Sequence, residues 1–246
     1  METTTIETGC SSFNEFHWKG IFYPDDLPRS RWFAHYCKYF RTYEMNSSFY
    51  KFPTDRTLAA WYAKSPDDFS FAVKMYKGVT HYKKFKDCER LISEFYAVCR
   101  DNLKEKLSTV LFQLPPSYSF TPERLALVIA SVDPSFTNAV EFRHKSWWQN
   151  EVYDALVANN IIFCSVSYPE LPEDIVATTN VAYVRLHGSE RLFYSGYAGD
   201  YLSELERRIS GTGCEKAYVY FNNTASAEGI KNALDFERIV SANKIS

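Results

Sequence analysis

The sequence lacks the signals that mark metal-binding, secreted and membrane proteins. None of its six cysteines forms a C-x-x-C pair or a zinc-like spacing, and their scatter indicates reduced thiols in a cytosolic protein. No apolar run approaches the roughly 20 residues that a membrane span needs. Residues 1–7 are polar and threonine-rich, without the basic and apolar regions of a signal peptide. We therefore expect a cytoplasmic protein with no membrane partner.

Several catalytic motifs are also missing. No H-E-x-x-H motif or dense Asp/His cluster marks a metal site, and no G-x-S-x-G elbow marks a serine nucleophile. The segment from Gly211 to Gly213 precedes a predicted strand rather than a helix, which indicates a helix stop instead of a phosphate loop. We expect neither a metal nor an organic cofactor, although Glu44, Glu141 and His187 could serve as ligands if a metal bound.

The charge balance excludes a protein that binds nucleic acid as a polycation. The chain has 28 Lys and Arg residues against 30 Asp and Glu residues, which gives a formal net charge of −2. A local basic patch is compatible with this balance. The 246 residues are enough for a single α/β barrel, and no linker or low-complexity tract divides them. We therefore predict a single domain over residues 1–246.

Strand-like and helix-like segments alternate along the whole chain. Predicted strands cover Ile6–Cys10, a segment ending near Asn46, Phe69–Met75, Ser108–Leu114, Asn138–Arg143, Ile161–Ser167, Ala182–Leu186 and Lys216–Phe221. Predicted helices cover Arg31–Phe40, Asp55–Lys64, Cys88–Asn102, a segment opening at Thr121, Trp148–Ala158, Asp200–Gly211 and a segment opening near Ser226. These are eight strands and seven clear helices, with a loop-like segment Pro169–Thr179 after the sixth strand, and this alternation predicts an α/β fold of the (β/α)8 TIM-barrel type. An open doubly wound sheet is the main rival, but it would need no eighth repeat.

Polar residues recur near the end of one apolar strand after another. Burying them unpaired would cost several kcal/mol each, so they must pair or line a cavity. In a parallel barrel the strand ends meet at one face, the C-terminal mouth. The residues predicted there are Glu44, Asn46, Lys74, Gln113, Glu141, Arg143, Arg185, His187 and Asn222. Their three fixed cations against two carboxylates favour a polar ligand with an anionic group.

Glu141 is the strongest candidate for acid/base chemistry. A carboxylate among apolar neighbours can act as a proton donor or acceptor. The alternative is a structural ion pair with Arg143 or Arg185 that braces the barrel. His187 could be a general base or, equally well, a hydrogen-bonded structural histidine.

The remaining polar residues at the strand ends have two interpretations each. Lys74 could form a Schiff base, but a point charge for an anion or a partner for Glu44 is favoured. Gln113 and Asn222 could orient a substrate hydroxyl or amide, or could satisfy loop backbone groups instead.

Two loops and one aromatic pair extend the candidate site. The segment 76–86 has four lysines interleaved with aromatic residues, which suits phosphates and stacked bases, although most such runs are solvated surface. The segment 188–199 carries Arg191, Phe193, Tyr194 and Tyr197 and is either a mobile flap or a rim over the barrel. Trp147 and Trp148 could stack on a sugar or base, with core packing favoured for at least one.

Nine short motifs in this order resemble the YecE-like family, the domain of unknown function 72. They are Gly9-Cys10-Ser11-Ser12 with Trp18, Phe22-Tyr23-Pro24, Glu44-Met45-Asn46-Ser47-Ser48-Phe49-Tyr50, Phe71-Ala72-Val73-Lys74, Thr80-His81, Phe112-Gln113-Leu114-Pro115-Pro116, Glu141-Phe142-Arg143-His144-Lys145-Ser146-Trp147, Tyr183-Val184-Arg185-Leu186-His187-Gly188 and Tyr218-Val219-Tyr220-Phe221-Asn222-Asn223. The resemblance covers nearly the whole chain. It implies a TIM-type barrel, and its motifs include Tyr50, His81 and Trp147 among the residues of interest, but it implies no reaction.

We expect an enzyme without an organic cofactor or metal, acting on a small polar, anionic substrate such as a sugar phosphate or nucleotide fragment. The predicted catalytic residues are Glu141, His187 and Lys74. The predicted substrate-binding residues are Glu44, Asn46, Tyr50, His81, Gln113, Arg143, Trp147, Arg185, Tyr194 and Asn222. One alternative is a nucleic-acid-binding or processing protein that uses the segment 76–86. A second is a ligand sensor without catalysis.

Overall fold

The computed structural model describes residues 4–243, so residues 1–3 and 244–246 of the predicted domain lie outside the described residues. Eight strands occur in the described part of the chain: β1 Thr5–Cys10, β2 Thr42–Met45, β3 Ser70–Lys74, β4 Leu107–Gln113, β5 Asn138–Glu141, β6 Ile162–Ser167, β7 Val181–Leu186 and β8 Lys216–Phe221. They form one sheet in the order β1-β8-β7-β6-β5-β4-β3-β2. The pairs β1–β8, β3–β4, β4–β5, β5–β6 and β7–β8 are parallel. This is the predicted (β/α)8 barrel.

The α-helices between residues 4 and 243 alternate with the strands, except that two of them follow β2 and none lies between β6 and β7. They are α1 Trp32–Tyr36, α2 Ser47–Tyr50, α3 Asp55–Lys64, α4 Glu89–Leu103, α5 Pro122–Ser131, α6 Asn150–Ala158, α7 Gly199–Ser210 and α8 Glu228–Asn243. In α4 the buried side chains Ile92, Phe95, Tyr96, Cys99 and Leu103 recur at helical spacing, which gives the helix one apolar face. No helix of the described residues combines the length and apolar character that crossing a membrane requires.

The chain divides into two compact units. The first unit comprises the described parts of Met1–Glu44 and Ser165–Ser246, and the second is Met45–Cys164. In the second unit every residue of β5 is buried, as expected for a parallel strand covered on both faces. The six cysteines are buried, and none of them forms a disulfide bond within the described residues. The single domain over residues 1–246 stays a prediction.

The predicted boundaries differ from the observed ones mainly in short elements. The predicted helix Arg31–Phe40 is a 3₁₀ turn, Arg29–Arg31, followed by the short α1, and the Phe40 ring beyond α1 lies 4.8 Å from the Tyr36 ring. Most of the predicted loop 76–86 is a π-helix over Gly78–Lys83. The helix predicted to begin at Trp148 begins at Asn150, because Lys145–Trp147 forms a 3₁₀ turn that buries Trp147. The short helix α2 was not predicted.

The predicted start of α5 is confirmed. Thr121 is the N-cap, its hydroxyl accepts a hydrogen bond from the Arg124 N–H at 3.2 Å, and Pro122 occupies the first helical position. The N-cap satisfies one of the unpaired N–H groups of the first turn, and proline at this position has no N–H to satisfy. Sequence-local chemistry therefore fixes this helix start.

Candidate active site

Three neighbouring strands of the second unit end in polar side chains. Lys74 ends β3, Gln113 ends β4 and Glu141 ends β5. Gln113 and Glu141 are register partners, and Lys74 pairs with Leu111 on the same strand as Gln113. Because the strands are parallel, all three side chains lie at the carboxyl edge of this part of the sheet. All three are buried, with Glu141 at 0% exposure.

Glu141 forms an ion pair with Arg143, whose Nε donates to a carboxylate oxygen of Glu141. The two side chains share a face because they are two residues apart at the end of an extended segment. A buried carboxylate needs such a partner, and the arginine stabilises its ionised form. The structural pairing predicted as an alternative for Glu141 is therefore present. An ionised, buried carboxylate also has the charge state of a general base.

Lys74 lies against an aromatic ring of α2. Its Nζ is 4.0 Å from the centre of the Phe49 ring, a cation–π contact that holds the ammonium group in place. Ser48 strengthens this arrangement, since its hydroxyl bonds the carbonyl oxygens of Met45 and Lys74 at 2.8 and 2.7 Å. Phe49 was missed as a site residue, although the adjacent aromatic pair Phe49 and Tyr50 was a signal for it.

His81 joins this group from the π-helix that follows β3. Its ring is 4.9 Å from the Phe49 ring, and its Nδ1 lies 2.9 Å from the Thr80 hydroxyl. Burial is the main reason that the pKa of His81 is lowered to about 4, and the charges of Lys74 and Arg143 lower it further against the opposing effect of Glu141. His81 is therefore a neutral imidazole near pH 7 and can donate or accept a hydrogen bond.

We call these five residues, Phe49, Lys74, His81, Glu141 and Arg143, the Lys74 cluster. At neutral pH it contains two cations, one carboxylate and a neutral imidazole, which leaves a surplus of one positive charge. Lys74 and Arg143 are buried and His81 is half-buried. A positive surplus in a partly dehydrated site attracts an anion more strongly than the same charges in water.

The other predicted residues of the second unit have clear structural surroundings. The amide nitrogen of Gln113 donates to the Leu114 carbonyl at 2.7 Å. It thus satisfies a backbone group, which is one of the two roles predicted for it. Asn46 precedes α2, and its carbonyl accepts the Phe49 N–H. Tyr50 is 68% exposed. The Lys77 ammonium group lies 5.6 Å from the Tyr50 ring.

Trp147 is a core residue in this structure. It is fully buried, its ring stacks on Phe142 at 4.1 Å, and its Nε1–H donates to the Tyr118 carbonyl at 2.7 Å. The core packing favoured for one of the two tryptophans is therefore present at Trp147, and a substrate-binding role for it stays a prediction.

The first unit contains a closed ion pair between Glu44 and Arg185. Arg185 donates from Nε and Nη2 to the two carboxylate oxygens of Glu44, at 2.9 and 2.6 Å. Tyr183 adds a third hydrogen bond to the same carboxylate at 2.6 Å, and all three side chains are fully buried. This bidentate geometry supports a bracing role. A direct contact of Glu44 or Arg185 with a substrate stays a prediction.

His187, at the end of β7, belongs to a hydrogen-bonded chain of the first unit. Asn222 donates from Nδ2 to His187 Nδ1 at 2.8 Å, and its Oδ1 accepts the Ser11 hydroxyl at 2.5 Å. Since Nδ1 accepts, the neutral imidazole carries its proton on Nε2. Ser11 was missed because a serine after the first strand carries no periodic signal. A general-base role for His187 stays a prediction.

The segment after β7 is tied down over His187. Its start, Gly188, has φ +108, and a Cβ there would come within 2.7 Å of the Arg191 carbonyl oxygen. The Phe193 N–H bonds the His187 carbonyl at 2.5 Å, and the Phe193 carbonyl accepts the Ala225 N–H at 3.1 Å. Tyr194 is 43% exposed. The segment predicted as a flap or rim is thus closed by backbone hydrogen bonds.

Between residues 4 and 243 no group of three or more His, Cys, Asp and Glu side chains is arranged to hold a metal ion.

Parallel strands in (β/α)8 order, with ionisable side chains at their carboxyl ends, define a TIM-barrel protein of the kind that carries its sites at that end. The chain belongs to the family described as "Protein of unknown function DUF72", whose model matches residues 7–245. No reaction accompanies that description.

The relatives agree with this family. The chain is 24% identical to the UPF0759 protein YunF of Bacillus subtilis, covering 85% of this chain and 86% of that protein. It is 26% identical to the UPF0759 protein YecE of Escherichia coli K12, but that match covers only 46% of this chain and 42% of YecE.

Solved structures of the family share the fold. A DUF72 family protein of Thermotoga maritima superposes with a TM-score of 0.87 at 28% identity, covering 96% of this chain and 99% of that one. A DUF72 family protein of Enterococcus faecalis gives a TM-score of 0.83 at 20% identity, covering 96% of each chain. The second likeness concerns the fold alone.

Proposed function

We propose that this protein is a metal-independent enzyme that binds a small, polar, anionic substrate at the Lys74 cluster and transforms it by acid/base chemistry. The observation that carries the proposal is the half-buried, neutral His81, which packs on Phe49 and whose pKa responds to the charges of Lys74, Arg143 and Glu141. A sugar phosphate or a nucleotide fragment has the required charge. The surplus positive charge of the cluster supports this substrate class.

Each side chain has a role that follows from its chemistry. Lys74 and Arg143 hold the anionic group, and the Phe49 ring keeps the Lys74 ammonium group in position. Glu141 accepts a proton from the substrate as general base. His81, being neutral, donates a hydrogen bond to the oxygen on which negative charge develops, as neutral imidazoles do in other barrels.

A thermal-shift screen tests binding. The protein is treated with a chelator or supplied with divalent metals, and sugar phosphates and nucleotides are added. A ligand at about 100 times its Kd stabilises a protein by roughly 2.7 kcal/mol, which for this chain length raises Tm by about 5–11 °C. The shift should be the same with chelator and with metal.

Two variants make the screen specific. Lys74→Met removes the charge but keeps the length of the stem that packs on Phe49, so it should remove the part of the shift that comes from the Lys74 cluster. Lys64→Met, an exposed lysine in the last turn of α3, is the matched control and should leave the shift unchanged. A shift as large in Lys74→Met as in the wild type would overturn the proposed site, and a shift that requires metal would overturn the proposed metal independence.

A second candidate function has one specific observation in its favour. Tyr50 and Tyr82 are 68% and 69% exposed, and the Lys77 ammonium group lies 5.6 and 5.5 Å from their rings. Exposed rings beside a cation suit stacked bases and phosphates of single-stranded nucleic acid. This candidate predicts salt-dependent binding of oligonucleotides that Tyr82→Ala weakens. Unchanged binding by Tyr82→Ala would reject it.

A further inference from the structure

A cavity of about 540 Å³ lies in the second unit beside the start of α5. The start of the helix contributes Glu123 and Arg124, and the segment after the π-helix contributes Lys84 and Lys86. Tyr118 forms part of the wall. The volume is within the range of small-molecule sites.

The wall of this cavity has an excess of positive charge. Lys84, Lys86 and Arg124 are cations, and Glu123 is the one carboxylate among the residues that line it. Glu123 is already engaged, since hydrogen bonds from its own backbone N–H and from the Thr121 side chain lower its pKa. Two positive charges are left over. A phosphate monoester, with close to two negative charges at pH 7, matches this surplus.

The two lysines stand on backbone that is held in an unfavourable conformation. Lys84, Phe85 and Asp87 have φ values of 50, 67 and 48, in the left-handed region that non-glycine residues avoid. Phe85 anchors the segment, because its ring is buried and stacks on Phe112 at 5.9 Å. Lys83 closes it by donating to the Asp87 carbonyl at 2.8 Å. Strained backbone that the surroundings enforce is common at ligand sites.

Tyr118 supplies an independent sign of a ligand. The side chain is 3% exposed, and its hydroxyl has no hydrogen-bond partner in the described part of the chain. Burial raises the pKa of the Tyr118 phenol, so the hydroxyl stays a donor. The Arg124 guanidinium lies 4.9 Å from the ring and donates to the Ser119 carbonyl at 2.7 Å, which orients it beside the cavity. Buried donors without an acceptor are rare in folded proteins, so this hydroxyl indicates an acceptor that a bound ligand supplies.

We infer that this cavity is a second binding site, for a small phosphate monoester held by Lys84, Lys86 and Arg124 with the Tyr118 hydroxyl as an additional donor. The site is distinct from the Lys74 cluster and does not depend on the reaction proposed there. Its elements are all part of the second unit, and its ligand is recognised by its charge and its phosphate oxygens.

The test is calorimetric titration with adenosine 5′-monophosphate and with inorganic phosphate. It is made in the Lys74→Met background, so that binding at the Lys74 cluster does not contribute. We expect saturable binding of the monophosphate in this background. Lys84→Gln combined with Lys86→Gln should weaken it about tenfold or more, since two charge-assisted contacts are lost. Lys64→Gln, on exposed α3, should change nothing.

Further variants keep the outcome clear. Lys86→Gln alone replaces none of the residues with positive φ, so it should not disturb the fold. It should still weaken binding severalfold, even if the double variant is misfolded. Tyr118→Phe should weaken binding without lowering Tm in the absence of ligand. The proposal fails if neither phosphate compound binds, or if the lysine variants bind as the background does. Binding of a single-stranded oligonucleotide with no binding of the monophosphate would also overturn it.

Discussion

The buried ion pair of the first unit leads to a sharp prediction about stability. Replacing Arg185 by Ala leaves the fully buried Glu44 carboxylate with its hydrogen bond from Tyr183 but without the two that Arg185 donates. Breaking a buried pair by removing one partner costs about 3–5 kcal/mol. For a chain of this length that corresponds to a fall in Tm of roughly 6–20 °C.

The assay is urea unfolding followed by far-UV circular dichroism. Arg207→Ala is the matched control, because Arg207 and Glu204 form an ion pair at 2.6 Å whose side chains are 74% and 49% exposed. Such a surface pair contributes little, so the control should unfold with the wild type. The double variant Glu44→Met, Arg185→Met should recover part of the loss, because no buried charge is then left alone.

The bracing role is refuted if Arg185→Ala loses less than about 1 kcal/mol, the scale of an exposed pair. It is also refuted if the double variant is less stable than Arg185→Ala. A bracing pair predicts the opposite, because removing Glu44 as well relieves the cost of an unpaired buried charge. Either result would favour the other interpretation, in which Glu44 and Arg185 are held in place for a ligand.

Three further predictions concern single residues. His81 should titrate near pH 4 by NMR. Because its folded pKa lies below the unfolded value of about 6.5, it contributes stability above pH 6.5 that is lost as the pH falls toward 4. The loss is about 1 kcal/mol by pH 5 after solvent screening, and His81→Gln should remove that part of the pH dependence. Gly9→Ala should destabilise the protein by about 1–3 kcal/mol in urea unfolding, because the added Cβ would lie 2.5 Å from the Thr42 carbonyl oxygen. Gly199→Ala is the control and should not destabilise it, because no atom lies within 4 Å of the added Cβ. Trp147→Phe should cost about 1–3 kcal/mol by leaving the Tyr118 carbonyl without its donor, and an unchanged midpoint would contradict the buried hydrogen bond.

The fold was predictable because its signals are local and repeated. Each strand is a short apolar run, and Thr121 and Pro122 specify the start of α5 as its N-cap and first helical residue. The short elements were not predictable in this way. A four-residue helix such as α2 has no periodicity to read, and it persists through tertiary contacts such as the Ser48 hydrogen bonds to Met45 and Lys74.

The candidate site was predictable in its residue types, but only the pairing between residues close in sequence was predictable. Period-two spacing places Glu141 and Arg143 on one face, and their ion pair follows from that spacing. The partner of Arg185 is Glu44, 141 positions away in the sequence, and only the packing of the first unit brings them together. The lowered pKa of His81 likewise depends on its burial and on Lys74 and Arg143, which a single sequence does not place beside it.

Turnover by the wild type and by Glu141→Gln tests the central claim most directly. The ligands found in the thermal-shift screen are incubated with each protein, and the products are followed by phosphorus NMR and mass spectrometry. We predict that the wild type converts at least one ligand and that Glu141→Gln converts it about 100-fold or more slowly, as expected for loss of a general base, while its thermal shift persists. Equal turnover by the two proteins, or binding with no turnover by either, would contradict acid/base catalysis at the Lys74 cluster, and the latter result would identify a ligand sensor.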